Sequence, residues 1–139
     1  MAYEYMLESL GTMTAVGNYS SASSQFTLCK TTGAGTFSKQ TTAGGVVLGV
    51  LQDLPSSGYV GSLGVKGVTK VRVNTTSHAA IAVGDKLCAS SGAGVRGSTA
   101  VGRFVVGRAL QAQTVNTTGI ISMLITMEGA GSTSAAAGA

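Results

Sequence analysis

The stretch Gly44–Val73, GGVVLGVLQDLPSSGYVGSLGVKGVTKVRV, decides the fold class. It opens on an apolar run, Val46-Val47-Leu48-Gly49-Val50-Leu51, and breaks at Asp53-Leu54-Pro55-Ser56-Ser57-Gly58. An alternating segment follows, with Leu63, Val65, Thr69, Val71 and Val73 on one face and Lys66, Lys70 and Arg72 on the other. Side chains alternate with period 2 along a strand, so the pattern predicts one buried face and one basic, solvated face. The single proline of the chain sits in the turn, where a fixed φ helps and a missing N–H costs little. Nothing in the stretch carries chemistry; it reads as framework.

Outward from it, composition agrees. Gly is 21 of 139 residues, Pro is 1, Trp is absent and 10% of residues are charged, which argues against helix bundles and for short strands joined by tight turns. The length is that of one domain with a modest core, and an apolar fraction of 44% excludes compositional disorder. The fold expected is all-β: a small barrel or sandwich, built from two tandem copies of a β-meander.

Those copies are read from internal identities. Leu28-Cys29 and Leu87-Cys88 are each followed by Gly-Ala-Gly, at Gly33–Gly35 and Gly92–Gly94, all at an offset of 59. Val47-Leu48-Gly49 answers Val105-Val106-Gly107 at 58, and Leu51-Gln52 answers Leu110-Gln111 at 59 again. Ser57–Val60 loosely matches Thr118–Ile121. A turn deletion and a β-bulge would account for the slip. The expected β domain covers 25–128, with the copies at 25–73 and 84–127.

At the ends the pattern fades. Tyr3, Met6, Leu7 and Leu10 stand at helical spacing, but Gly11 ends it after barely two turns, too short for a stable isolated helix. Residues 1–24 are therefore read as an arm ordered by lying on something else; the other reading is an ordinary first strand and a loop at Gly17-Asn18. Residues 129–139 read as a frayed tail.

Candidates for chemistry are few. His78 is the one histidine and lies in the polar loop Asn74–Ala79; Asp53 and Asp85 sit where Asp caps turns. No nucleophile elbow, phosphate-binding loop or dinucleotide fingerprint is present. Cys29 and Cys88 form no C-x-x-C pair, and one histidine leaves a zinc site short of ligands, so both cysteines read as reduced, buried apolar residues. The chain is expected to be no enzyme and to hold no metal, cofactor or small-molecule substrate. The N-terminus lacks a positive region and an apolar stretch of secretory type, and no apolar run approaches the roughly 20 residues of a membrane span.

The net charge of +4 is uneven. Seven of nine basic residues lie between Val60 and Leu110 against one acid, Asp85. That asymmetry suits an acidic partner or nucleic acid. Single-strand binders pair a basic groove with aromatic platforms, and the only aromatic in this span is Phe104, so direct nucleic-acid binding is not expected.

Taken in order, Gly49-Val50-Leu51-Gln52 before the proline turn, Gly67-Val68-Thr69-Lys70-Val71, Ala82-Val83-Gly84-Asp85, Gly107–Ala112 (GRALQA) and the closing apolar strand resemble the capsid decoration, or cement, proteins of tailed bacteriophages. The resemblance spans Val46–Met127 and carries over no residue-level site. It implies a β-rich structural protein, made in the host cytoplasm, that binds the outer surface of the phage head as a homotrimer. There it would clamp the major capsid protein. On this reading the basic face Lys66, Lys70 and Arg72 meets an acidic capsid rim, and Tyr3, Met6, Leu7 and Leu10 pack on a neighbouring subunit. The alternatives are another virion β-protein, such as a head fibre base, a tail component or a short capsid-like element, and a carbohydrate-binding adhesin module. An adhesin's aromatic platforms are thin in a chain without Trp.

Overall fold

The computed structural model describes residues 5–96 and 103–130. The described residues are all-β apart from one 3₁₀ turn, Ala22–Ser24. The strands are β1 (Tyr5–Ala15), β2 (Leu28–Gly33), β3 (Thr36–Lys39), β4 (Gly49–Leu51), β5 (Val60–Asn74), β6 (Lys86–Ser90), β7 (Ala93–Arg96), β8 (Phe104–Ala109) and β9 (Thr118–Ala130). They form one sheet in the order β1-β3-β2-β4-β5-β7-β6-β8-β9, with β1 and β9 each pairing β5 as well.

Those two extra pairings close the sheet into two rings of strands that share β5. In the first, β1, β3, β2, β4 and β5 follow one another; in the second, β5, β7, β6, β8 and β9 do. The two rings have the same wiring. β1 and β3 are parallel, as are β5 and β7, and each remaining contact (β2–β3 and β6–β7, β2–β4 and β6–β8, β4–β5 and β8–β9, β1–β5 and β5–β9) is antiparallel.

The sequence identities do not all lie at matching places in this wiring. Cys29 pairs Gly49 in the first ring, whereas Leu87 pairs Gly107 in the second, so Leu87 stands where Cys29 does. The first Gly-Ala-Gly makes its turn between paired Gly33 and Thr36, but the second begins in the turn between paired Ser90 and Ala93 and runs on into β7. Leu51 pairs Leu63 and Ala109 pairs Met123, so the ladder keeps the offset of 58 through this point. Gly49 and Gly107 do coincide, for a shared reason. A Cβ on Gly49 would stand 2.8 Å from the Gly64 carbonyl oxygen, and one on Gly107 would stand 2.2 Å from that of Leu124.

Each strand of the first ring places one buried residue inside it: Ala15, Cys29, Phe37, Leu51 and Leu63. The larger core joins Val71 and Val73 of β5 to Leu87, Val106, Ala109, Ile121 and Met123, and it also takes in Leu28 of β2 and Val50 of β4. Alternate residues of β2 and β4 therefore point into different cores. Burial on both faces explains why Val47–Leu51 is apolar without alternation, whereas Val46 ahead of it is exposed. Full burial of each such side chain is worth roughly 1.5–3 kcal/mol.

Along β5 Leu63, Thr69, Val71 and Val73 are fully buried as expected and Val65 is only partly buried, while Lys66 is exposed and Lys70 and Arg72 are half-buried. Buried Thr69 is satisfied, its hydroxyl accepting from Gln52 Nε2 at 2.8 Å and donating to the Lys70 carbonyl at 2.9 Å.

Tyr5–Ala15, within the segment read as an arm, lies in the sheet as β1, and the helical spacing of its apolar residues does not produce a helix. Extended backbone gains ladder bonds along β5 that a two-turn helix in water could not match. Gly129 and Ala130 belong to β9; the rest of the expected tail, residues 131–139, lies outside the described residues.

One position controls the handover between rings. β1 pairs β5 from Val60 to Val68, and β9 pairs it from Gly67 to Asn74. At this junction Gly67 has φ +101°, and a Cβ there would stand 2.2 Å from the Met6 carbonyl oxygen. Gly67→Ala is expected to lose at least about 2 kcal/mol in urea unfolding, through left-handed strain and backbone displacement together. Gly11→Ala, with open space around it and ordinary φ, is the control and should change stability by less than about 0.5 kcal/mol.

Candidate functional site

The titratable groups form no catalytic arrangement among the described residues. His78 is exposed in its loop, and its backbone N–H donates to the Thr75 carbonyl. Asp53 accepts the Ser62 N–H at 3.0 Å and Asp85 the Ala82 N–H at 2.8 Å, so both act on backbone as their turn positions suggest. Burial pushes the Cys29 thiol up to about 12 and also raises that of Cys88, so both stay protonated and unreactive. No group of three or more His, Cys, Asp or Glu side chains able to hold a metal occurs among the described residues.

The surface is more informative. From Glu8 to Thr12, β1 is exposed on both faces, and it pairs β3 only at Thr14 and Ala15. Met6 is 74% exposed and Leu10 37%. Where β1 gives way to β9 along β5, the strands leave a groove of about 690 Å³ lined by Met6, Leu7, Glu8, Lys66, Leu124 and Ile125, with Gly67 beside them. Apolar side chains dominate it, and one exposed ion pair, Lys66–Glu8 at 3.7 Å, marks its edge.

The structure thus brings together Met6, Leu7 and Lys66 of the sequence candidates. Leu10 lies further along the same strand, and Tyr3 lies outside the described residues. Lys70 and Arg72 are engaged elsewhere. The Lys70 ammonium sits 5.6 Å from the centre of the Phe26 ring. Arg72 donates from Nε to the Gln25 carbonyl at 3.2 Å and from Nη2 to the Ala22 carbonyl at 3.1 Å, fastening the 3₁₀ turn to the sheet. Leu124, half-exposed on β9, was missed by sequence reasoning. Strand alternation alone could have found it, since Ile121, Met123 and Ile125 share the buried face and leave Ile120 and Leu124 facing out.

A second ion pair is tighter. Arg108 on β8 grips Glu128 on β9 through Nε–Oε2 at 2.9 Å and Nη2–Oε1 at 3.2 Å, and Thr126 donates to the same carboxylate at 2.8 Å.

No protein-family profile and no curated protein sequence matches the chain. Among solved structures, the chain is similar to the head fibre gp8.5 N base of bacteriophage phi29, with a TM-score of 0.60 and 15% identity over 89% of this chain and 98% of that one. At that identity the likeness is one of fold.

The Arg108 hydrogen bonds hold the Glu128 carboxyl below its ordinary range, with Thr126 adding to the effect and partial burial opposing it. A carboxylate with a lowered folded pKa stabilises the fold above its unfolded value of roughly 4.3 and loses that contribution as pH falls through the folded value. Glu128→Gln is therefore expected to lower stability at pH 7 by at most about 1 kcal/mol, with the gap to the parent narrowing as pH falls below the ordinary carboxylate range in urea titrations.

Proposed function

We propose that this chain is a structural protein of a phage virion that seats on the outer surface of the head. There it binds the major capsid protein and stabilises the lattice as a homotrimer. The observation that carries the reading is the exposed β1 surface with the apolar groove beside it, on an all-β framework whose titratable groups serve structure. An attachment protein needs a rigid scaffold and an apolar contact with a polar rim, and this surface offers both. Many copies on one head let each contact be modest. The resemblance to decoration proteins and the fold likeness to a phage head fibre base support the same location. The likeness specifically favours a second reading, in which the chain is the base of a head fibre.

The contact surface centres on Met6, Leu10 and Lys66. Lys70 and Arg72 are engaged with the chain's own Phe26, Gln25 and Ala22, so reversing their charge would disturb the fold before it tested a contact. With expanded empty heads, the parent chain is expected to bind and to raise the temperature at which the heads rupture. Met6→Asp with Leu10→Asp should weaken binding at least tenfold, while the folded spectrum is retained. Binding without any gain in head stability would favour the fibre-base reading, and a chain that ignores heads would overturn both.

A further inference from the structure

A second, smaller cavity lies where the two rings meet. It holds about 270 Å³, just under the roughly 300–1,000 Å³ of most ligand pockets. Lys39 of β3 comes to it from one ring, Ser91 in the β6–β7 turn and Thr118 of β9 come from the other, and Arg72 and Asn74 belong to the shared β5. Thr27 lies on its buried side. Two cations and several hydroxyl or amide groups line it, and no acid among the described residues does.

Both cations are held, and neither has an acidic partner among the described residues. The Lys39 stem lies over Gly92, so closely that a Cβ there would stand 2.4 Å from Cδ. Two of the five guanidinium N–H donors of Arg72 are fixed on the Gln25 and Ala22 carbonyls. Its other donors, and the Lys39 ammonium, have no partner among the described residues. The four described acids act elsewhere: Glu8 on Lys66, Glu128 on Arg108, Asp53 on the Ser62 N–H of β5 and Asp85 on the Ala82 N–H. Two fixed cations in a partly enclosed, hydroxyl-lined cleft match the chemistry of a small oxyanion on a hydroxylated carrier.

We propose that the cleft between Lys39 and Arg72 binds a small oxyanion, a phosphate or a carboxylate, carried on a body no larger than one sugar. Arg72 presents a fork already oriented by its two backbone contacts, Lys39 supplies a second point charge, and Ser91 and Thr118 meet the carrier's hydroxyls. This site is separate from the β1 groove, so it stands or falls without the head-binding reading.

The test is a nitrogen–proton NMR titration of the folded chain with inorganic phosphate, glucose 6-phosphate, glucuronate and neutral glucose at constant ionic strength. Saturable shifts at Lys39, Ser91, Gly92 and Thr118 are expected with the three anions and not with glucose. Lys39→Gln should weaken binding about tenfold or more, the loss typical of one charge-assisted hydrogen bond, while Lys39→Arg keeps it within a few-fold. Should Lys39→Gln fail to fold, Thr118→Glu at the exposed start of β9 sets a carboxylate at the cleft and should abolish anion binding. Equal shifts with glucose and glucose 6-phosphate, no saturation in the millimolar range, or undiminished binding in Lys39→Gln or Thr118→Glu would overturn the proposal.

Discussion

Everything in this fold depends on the backbone hydrogen bonding of one strand. β5 pairs with β1 and β4 along its first half and with β9 and β7 along its second. A strand shared in this way needs no loop to join the rings, and neither ring can open fully without exposing ladder groups of the other. Unpaired buried backbone groups are costly, so sharing couples the rings even where few side chains cross between them. The side chains add to that coupling, because Leu28 and Val50 of the first ring lie in the core of the second. Gly67 is the local condition for the arrangement: only a residue without a Cβ lets β5 pass beneath Met6 as it changes partners.

Most of the framework was legible in the sequence. The period-2 pattern from Leu63 to Val73 identified both faces of β5, and the Gly-rich, Pro-poor composition identified the all-β class. What could not be read was closure. Tyr3, Met6, Leu7 and Leu10 pointed to helical spacing, yet the partner that makes Tyr5–Ala15 a strand lies 46 to 63 residues away in β5. Internal identities such as Leu28-Cys29 and Leu87-Cys88 lie in similarly wired hairpins, but the ladder register separates them by one residue. The basic face was legible as a face but not in its use, because the residues that occupy Lys70 and Arg72 come from the irregular segment around the 3₁₀ turn.

The division of charge follows the same structural reasoning. Exposed Lys66–Glu8 contributes little to stability and stays available to a partner, whereas the half-buried Arg108–Glu128 fork ties the last two strands. The surface left for recognition is the apolar flank of β1 and β9, with a cationic cleft at the ring junction. Attachment to a large lattice and uptake of a small anion would use different faces of one rigid body.

The shared strand is tested most directly by native-state hydrogen exchange. If β5 couples the rings, the buried amides of β2, β4, β5, β6 and β9 should exchange with one common free energy, equal to that of global unfolding. Glu8–Thr12 of β1 should exchange well below it. A distinctly lower opening free energy for β6–β9 than for β2–β5, or the reverse, would show that one ring opens while the other stays closed, and would contradict the account.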